Sequence, residues 1–378
     1  MKKTFKILGL FLSFMAFSCT DDDKVVFVQG EETTQQPEDP NVPSAKTVTL
    51  AMGPGFNLGN AFDNGLNAPE FASLKPIIDL YKNAGMKHVR IPVTWMDRFA
   101  NNIADANGNV DYNHPRFLQL VQTIDYALSQ DLYVVINTHH EHWLKDHYDG
   151  SDNFNSKFTT LWTDIAEYFK GYPNKLIFEV LNEPEGTMGE LDGDGPFPDP
   201  SDATALQYTR QINLVGYDAI RNTGENNATR IVMVGLNGQG NAVNFDKVYP
   251  NIASLPGNGN DKNVMVQVHS YNPWAFCGET GSNAAFPGTP AIETGIQTVS
   301  VHSIKLNVAV NYGEFGVGRS TNQAERNSDV VRGFYRTVAV STIGQKMSYT
   351  VWDDRGWFGL TNNSGTAFLH NIVPTMLQ

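Results

Sequence analysis

Eight short apolar runs, each separated from the next by a longer mixed segment, constrain the fold of this chain more than any other feature. Most of these runs are rich in valine and isoleucine and have the length of buried strands. In several intervening segments apolar residues recur at helical spacing, for example after Asn113, which is predicted to cap a helix that starts near Pro115. Strand and helix alternating in this way predict a single (β/α)8 TIM barrel in the α/β class. The predicted strands are residues 55–58, 87–91, 132–137, 176–181, 230–234, 264–269, 307–311 and 348–352.

The composition is that of a large globular protein with an acidic surface. Its 378 residues, 41% of them hydrophobic, can bury a large core. The formal net charge of −13 disfavours binding to nucleic acid, or to an anionic membrane surface, through a basic patch. A neutral polysaccharide is compatible with this charge. The two cysteines, Cys19 and Cys277, are too few for a disulfide framework.

Residues 1–18 have the pattern of a cleaved signal peptide. Lys2, Lys3 and Lys6 precede an apolar stretch at 7–17 that is too short to span a bilayer. We therefore predict an exported protein. Residues 16–18 together with Cys19 resemble a bacterial lipoprotein cleavage site, which implies lipidation of Cys19. Ordinary secretion with a chance cysteine is the alternative.

The segment after Cys19 has the composition of a spacer. It carries three consecutive aspartates at 21–23 and is rich in Glu, Gln, Thr and Pro from 29 to 43, so it cannot bury enough apolar surface to fold. We predict a lipidated, flexible linker at 19–46 and a folded barrel domain at 47–378. The protein would then be an outer-membrane, cell-surface or periplasmic lipoprotein of a Gram-negative bacterium, attached to the membrane only through its lipid.

Two glutamates, Glu183 and Glu314, close two of the apolar runs. A pair of carboxyl groups is the minimum equipment for cleaving a glycosidic bond, because one must protonate the departing oxygen while the other attacks the anomeric carbon or activates water. The carboxyl ends of the strands form the face on which barrel enzymes carry their catalytic groups. The pattern therefore indicates a glycosidase.

The motifs around these glutamates resemble glycoside hydrolase family 5, the cellulase-type retaining glycosidases. The resemblance begins with Asn-Glu-Pro at 182–184 and Gly-Glu-Phe-Gly at 313–316. Further matches follow in family order and extend over most of the chain. They are Arg90 in Val-Arg-Ile-Pro, His139 in Asn-Thr-His-His, His269 and Tyr271 in His-Ser-Tyr, and Trp352 in Val-Trp-Asp.

The resemblance implies a role for each matched residue. Glu183 would be the acid/base, which rests in its protonated form, and Glu314 the ionised nucleophile. Arg90 and Tyr271 would supply the hydrogen bonds that hold Glu314. Asn182 would bind the sugar 2-hydroxyl.

Other matched residues would bind or support the sugar. His139 and His269, with His140 beside them, would line the site of the cleaved sugar. Trp352 would be its aromatic floor, because pyranose C–H groups pack on aromatic rings. Further contributions are expected from the first-strand residues Asn57 and Asn60, near Phe56 where the family often has tryptophan, and from three tryptophans that could extend the cleft or simply pack under loops, Trp95, Trp274 and Trp357.

Metal sites are the main alternative for two polar segments. The sequence His-His-Glu-His at 139–142 contains a His-x-His pair, but catalytic zinc needs three protein ligands and the sequence shows no cluster that completes them. The acidic loop at 186–202, with Glu190, Asp192, Asp194 and Asp199, could bind calcium, although it lacks EF-hand spacing. We predict no metal and no cofactor in the active site.

The sequence thus predicts a retaining endo-β-1,4-glycosidase that acts on a plant β-glucan, whether cellulose-like, mixed-linkage or xyloglucan, through a two-glutamate double displacement. A β-mannanase with the same mechanism is the first alternative. A non-catalytic glycan-binding lipoprotein and a metal-dependent hydrolase are the others. The expected partner is a β-linked polysaccharide or oligosaccharide, and the expected state is a monomer.

Overall fold

Eight parallel strands close in sequence order into a barrel, in which β1 pairs with both β2 and β8. These features come from a computed structural model that describes residues 42–64, 69–97, 101–190 and 196–378. The predicted (β/α)8 barrel is confirmed. The strands are β1 Pro54–Asn57, β2 His88–Ile91, β3 Tyr133–Asn137, β4 Leu176–Glu179, β5 Val232–Val234, β6 Val264–Ser270, β7 Ala309–Phe315 and β8 Ser348–Val351.

Amphipathic helices pack around the barrel and bury their apolar faces against the strands. The α-helices are α1 Ala45–Met52, α2 Phe71–Ala84, α3 Pro115–Ser129, α4 His142–Lys145, α5 Asp152–Phe169, α6 Ala203–Asn222, α7 Asn237–Gly240, α8 Phe245–Val248, α9 Trp274–Cys277, α10 Thr289–Leu306, α11 Asp329–Gly344 and α12 Ile372–Met376. Short 3-10 helices lie in the loops at Gly186–Met188, Glu225–Ala228, Ala242–Asn244, Ile252–Ser254, Pro256–Gly259, Asn283–Ala285 and Gln323–Arg326. None of the helices in the described residues is long and apolar enough to cross a membrane.

Helix α1 packs on the barrel next to the segment predicted to be a linker. Ser44 caps its amino end, and Val48 and Met52 pack with buried residues from several strands, including Met233 and Met265. The predicted border between linker and domain, at residues 46 and 47, therefore falls inside this helix. The predicted signal peptide and Cys19 lie outside the described residues.

Two local predictions need correction. His114 caps α3, because its side chain accepts a hydrogen bond from the Arg116 backbone N–H, and Asn113 lies one residue earlier. Strand β7 runs four residues beyond its predicted end, so Glu314 lies within the strand and does not follow it. Its pairing with β6 continues across an irregularity that apolar patterning does not reveal.

The connection between β5 and β6 differs from most of the others. Six of the strand-to-strand connections each contain a helix of at least 14 residues, namely α2, α3, α5, α6, α10 and α11. Between β5 and β6 the described chain has only four-residue helices, α7 and α8, and short 3-10 turns. One side of α10 is therefore not covered by a long neighbouring helix.

Candidate active site

Glu183 lies four residues beyond the end of β4, on the face formed by the carboxyl ends of the strands. Its backbone is left-handed, with φ of +43°, a conformation that residues other than Gly, Asn and Asp rarely adopt. Its carboxyl oxygen lies 2.8 Å from Nδ1 of His269, at the end of β6. The side chain keeps 23% of its exposure, so it can meet a substrate.

Glu314 faces the barrel interior because β7 carries a bulge. His269 pairs with Glu314 while the preceding Val268 pairs with Tyr312, so Gly313 is an extra residue on β7. A Cβ at Gly313 would lie 2.3 Å from the Gln267 amide nitrogen, so only glycine fits there without displacing Gln267. In a regular strand, Glu314 would share a face with Tyr312, since side chains two residues apart lie on the same side.

The two carboxyl groups come together across the barrel. One oxygen of Glu183, one oxygen of Glu314 and a ring nitrogen of His269 all lie within 4.8 Å of one another. Retaining glycosidases hold their carboxyl groups about 5–5.5 Å apart, whereas inverting ones leave about 6.5–9.5 Å for a water molecule. Oxygens this close fit a retaining pair and leave too little space for the water of an inverting pair.

Arg90, on β2, links the buried side chains beneath this pair. It donates hydrogen bonds to Glu314 at 2.7 Å and to Asn182 at 2.6 Å. It also donates to Asn57 at 2.7 Å. Tyr271 donates a further hydrogen bond to the other Glu314 oxygen at 3.0 Å. Both oxygens of Glu314 thus accept hydrogen bonds, which stabilise its ionised form.

A buried carboxylate that the sequence reasoning missed, Glu179, forms a two-pronged ion pair with Arg90, at 2.7 and 2.8 Å. It also accepts hydrogen bonds from Asn137 and Gln267. These contacts lower the pKa of Glu179 against the opposing effect of its burial. The sequence did hold one sign of this role, namely a charged residue inside an otherwise apolar run. A carboxylate buried on a barrel strand needs a cationic partner.

Burial raises the pKa values of both site glutamates, and different neighbouring charges act on each of them. Burial is the main cause that raises the pKa of Glu183 to about 7, and the negative charge of Glu185 adds to it. Lys145, which forms an ion pair with Glu185 at 3.1 Å, acts in the opposite direction. Burial also raises the pKa of Glu314, while His269 and Arg90 oppose that rise.

His139 and Trp352 form one wall of the site, with nearly parallel rings whose centroids lie 6.3 Å apart. His140 packs edge-on against His139 at 4.6 Å. Burial lowers the pKa of His139 well below its usual value and that of His140 to about 4, so both imidazoles are neutral near pH 7. Asn60, also expected to contribute, is exposed and donates a hydrogen bond to the Asp354 carbonyl.

The three tryptophans proposed to extend the cleft differ in burial. Trp95 is fully buried and donates its indole hydrogen bond to the Asn137 carbonyl, so it is a core residue and cannot touch a substrate. Trp274 and Trp357 are 50% and 49% exposed. The Trp274 ring lies 6.3 Å from that of Tyr271, close to the paired glutamates.

The profile of the cellulases, glycosyl hydrolase family 5, matches residues 53–355. The chain belongs to glycoside hydrolase family 5. That match confirms the resemblance predicted from the sequence. It also makes the protein a glycoside hydrolase, and members of the family are retaining.

Relatives of known name agree with this assignment. Endoglucanase A of Clostridium longisporum is 31% identical over 85% of this chain and 63% of its own length. The structure of a GH5-4 broad specificity endoglucanase from the same organism superimposes with a TM-score of 0.73, at 26% identity over 89% of this chain and 98% of that one. The ZgEngAGH5_4 complex with a cellotriose has a TM-score of 0.72 and 26% identity, with the same coverage.

This family 5 site also contains a group of potential metal ligands, in which Asp63 joins two histidines of the His-His-Glu-His segment. Asp63, His139 and His140 bring ligand atoms within 4.8 Å of one another. However, Nδ1 of the neutral His139 accepts a hydrogen bond from the Asn137 amide at 3.2 Å, which places the ring proton on Nε2. His139 therefore has no free lone pair for a metal unless these hydrogen bonds rearrange.

The other proposed metal-binding side chains are engaged in hydrogen bonds. In the His-His-Glu-His segment, Glu141 accepts from the backbone N–H groups of residues 95 and 96 and from the Trp143 indole, and His142 pairs with Asp97. In the acidic loop, Glu190 accepts from the Gln239 amide and Asp199 from Ser201. Asp192 and Asp194 lie outside the described residues.

Proposed function

We propose that the protein is a retaining endo-β-1,4-glucanase that cleaves β-glucan chains with Glu183 as acid/base and Glu314 as nucleophile. The carrying observation is that two carboxyl groups lie within 4.8 Å of one another in different surroundings. Glu314 accepts from a guanidinium and a phenol, whereas Glu183 faces the cleft with a pKa of about 7. One carboxyl is held ionised and the other is available as a proton donor.

In the first step, Glu314 attacks the anomeric carbon. A bond forms between a Glu314 oxygen and that carbon while the bond to the leaving oxygen breaks. Glu183 gives its proton to the leaving oxygen, so the departing sugar is released as a neutral alcohol. Asn182 is held at its Oδ1 by Arg90. Of the two N–H donors of its amide, one can bond Glu183 and the other can donate to the sugar 2-hydroxyl.

In the second step, the ionised Glu183 takes a proton from water, and the resulting hydroxide attacks the same carbon. The ester bond to Glu314 breaks, and its carboxylate returns to Arg90 and Tyr271. Two inversions give net retention. His269, whose pKa burial lowers to about 4, stays neutral beside Glu183 and does not compete for this proton near pH 7.

The choice of a β-glucan rests on the relatives, and a substrate panel tests it. One of them is a broad specificity endoglucanase, and another binds a cellotriose. We expect early internal cleavage of mixed-linkage glucan, carboxymethyl cellulose or xyloglucan, measured as a rapid fall in viscosity with few reducing ends. Glucomannan cleavage with no activity on these glucans would identify a mannanase. If wild type hydrolyses none of the substrates and is as inactive as Glu314→Gln, the protein is a glycan-binding protein.

The pH profile of kcat/KM is expected to be bell-shaped and to respond to the ion pair beside Glu183. Activity needs protonated Glu183 and should fall as pH rises through about 7. Glu185→Gln removes the negative charge that raises this pKa, so the basic limb should move to lower pH. Lys145→Met removes the opposing positive charge and should move it to higher pH. Shifts in the same direction for both variants would contradict this account.

We also propose that Cys19 carries a lipid anchor. The support is the sequence pattern of residues 1–19. Adsorption to anionic lipids would not explain membrane association, because the net charge of −13 makes it unfavourable. Wild-type protein should partition with the membrane fraction, whereas Cys19→Ala should be released or remain unprocessed. Cys277→Ala is the matched control, because Cys277 is buried in the folded domain. Equal partitioning of wild type and Cys19→Ala would refute the anchor.

A further inference from the structure

A cavity of about 740 Å³ lies on the side of the barrel, among the segment after β5, the end of β6, α10 and α11. Glu183, Glu314 and the other side chains of the catalytic site do not line it. We call it the lateral pocket. Its volume is in the range of small-molecule sites in proteins, about 300–1,000 Å³. Its lining is mainly apolar, with the rings of Phe245, Tyr312 and Phe334 and the aliphatic side chains of Ile292, Ile296 and Val338.

The lateral pocket follows from the short connection between β5 and β6. Because α8 has only four residues, no long helix among the described residues lies beside α10 on this side. At the rim, Val243 and Val301 are 60% and 61% exposed. Aliphatic side chains exposed next to an apolar concavity are typical of a binding surface.

The pocket and the catalytic cleft lie on opposite faces of the same two strands. On β6, His269 lies in the active site while the next residue, Ser270, lines the pocket. On β7, the bulge at Gly313 turns Glu314 towards the barrel interior, while Tyr312 faces the pocket. A molecule in the pocket would therefore not occupy the substrate cleft.

Tyr312 supplies a polar group to this apolar lining. The residue as a whole is only 2% exposed, but its hydroxyl forms no hydrogen bond with the described residues and is not fully buried, so it opens onto the pocket. A phenol hydroxyl that opens onto a pocket can donate a hydrogen bond to a bound molecule. A ligand oxygen within reach would accept this hydrogen bond.

We propose that the lateral pocket binds a small, uncharged, mainly aromatic molecule that carries one hydrogen-bonding oxygen. The three aromatic rings favour an aromatic partner. Asp246 and Lys305 also line the pocket but are exposed, and the half-buried His302 bonds the Tyr249 carbonyl through Nε2, so the lining holds no fully buried charge to pair with a charged ligand. The Tyr312 hydroxyl would donate a hydrogen bond to the ligand oxygen.

Glycine positions allow a direct test with 2-naphthol, an uncharged two-ring phenol. Gly295 lines the pocket on α10, and a Cβ there would meet nothing within 4 Å, so Gly295→Phe can fill the cavity without a clash at Cβ. Gly333 on α11 has the same free space and does not line the pocket. Gly333→Phe is therefore the matched control.

Fluorescence titration and calorimetry at pH 6.5 should show saturable 1:1 binding of 2-naphthol, with Kd below about 1 mM. Gly295→Phe should weaken binding at least about tenfold, and Gly333→Phe should leave it unchanged. Tyr312→Phe should weaken 2-naphthol binding about 2- to 10-fold and leave binding of naphthalene unaffected. Saturating cellotetraose, added to Glu314→Gln to prevent hydrolysis, should not displace the probe.

Several results would overturn the proposal. These are no saturable binding to the wild-type enzyme, equal Kd values for wild type and Gly295→Phe, or displacement by cellotetraose. Unchanged melting temperatures would show that the variants are folded. If Gly295→Phe does not fold, the comparison of 2-naphthol with naphthalene on wild type and Tyr312→Phe decides the question, and equal ratios in the two proteins refute it.

Discussion

Glu314→Ala is expected to lower kcat by at least about four orders of magnitude on polysaccharide and on activated aryl glycosides alike. Without this carboxylate no glycosyl-enzyme can form, so rapid-quench measurements should show no initial burst of aryl alcohol. Azide can at best occupy the vacated space and give the α-glycosyl azide. Its configuration is read by NMR.

Glu183→Ala should give a different pattern with the same substrate. An activated aryl leaving group needs no proton, so transfer to Glu314 should still produce a burst. Turnover should then stall by about 10²–10⁴-fold, because no base remains to activate water. Azide, already anionic, should restore turnover and give the β-glycosyl azide.

The two variants together identify the two roles. Glu325→Ala, which removes a glutamate that bonds Asn283 and Arg319 and neither member of the pair, is a control and should behave as wild type. If Glu183→Ala abolishes the burst and Glu314→Ala gives the β azide, the roles are reversed. If neither substitution changes the rate, these residues are not the catalytic pair.

Arg90→Ala is expected to have the largest effect on stability. Arg90 is buried and pairs with both Glu179 and Glu314, so its removal leaves two buried carboxylates without their cation. Removing one partner of a buried ion pair typically costs about 3–5 kcal/mol. The free energy of unfolding, measured by urea denaturation at pH 7, should fall by that amount, and kcat should fall with it.

The stability loss in Arg90→Ala should depend on pH in a defined direction. Arg90 lowers the pKa of Glu179 in the folded protein, so its contribution is present above the unfolded value, near 4.5, and is lost as pH falls through the folded value. The difference between wild type and variant should therefore be full at pH 7 and should shrink as pH falls below about 4.5. Arg230→Ala, which removes a buried arginine bonded to carbonyl groups and Asn227, should lack this dependence.

A double variant tests whether the orphaned charges cause the loss. Arg90→Ala combined with Glu179→Gln removes one of the two unpaired carboxylates and should recover part of the stability at pH 7. It should not recover activity, because Glu314 still lacks its donor. A double variant less stable than Arg90→Ala would show that Glu179 stabilises the barrel through its amide partners, Asn137 and Gln267.

Local pattern predicted the barrel and the face on which the paired glutamates lie. The eight predicted strands all overlap observed ones, because buried parallel strands read as short Val- and Ile-rich runs whatever surrounds them. Parallel strands closed in order place their carboxyl ends on one face, so Glu183, Glu314 and His269 could be expected together. Motif resemblance added Arg90 and Tyr271 as neighbours of Glu314.

Other features could not be predicted, since they depend on contacts between distant parts of the chain. Arg90 and Glu314 are 224 residues apart and meet only when the barrel closes. Whether Trp95 faces substrate or core depends on the helix packed over it, here through Phe117. The pairing of Lys145 with Glu185 likewise joins two separate loops.

The fold class and the family followed from the sequence alone, because local periodicity and short motifs carry them, and the same motifs singled out Glu183 and Glu314 as the predicted pair. The tertiary structure alone decided the site's electrostatics. In the folded chain Glu179 pairs with Arg90, and the bulge at Gly313 turns Glu314 towards the barrel interior. Burial in the fold raises the pKa of Glu183 to about 7. Burial and ion pairing depend on all the strands at once, and no local stretch of sequence contains them.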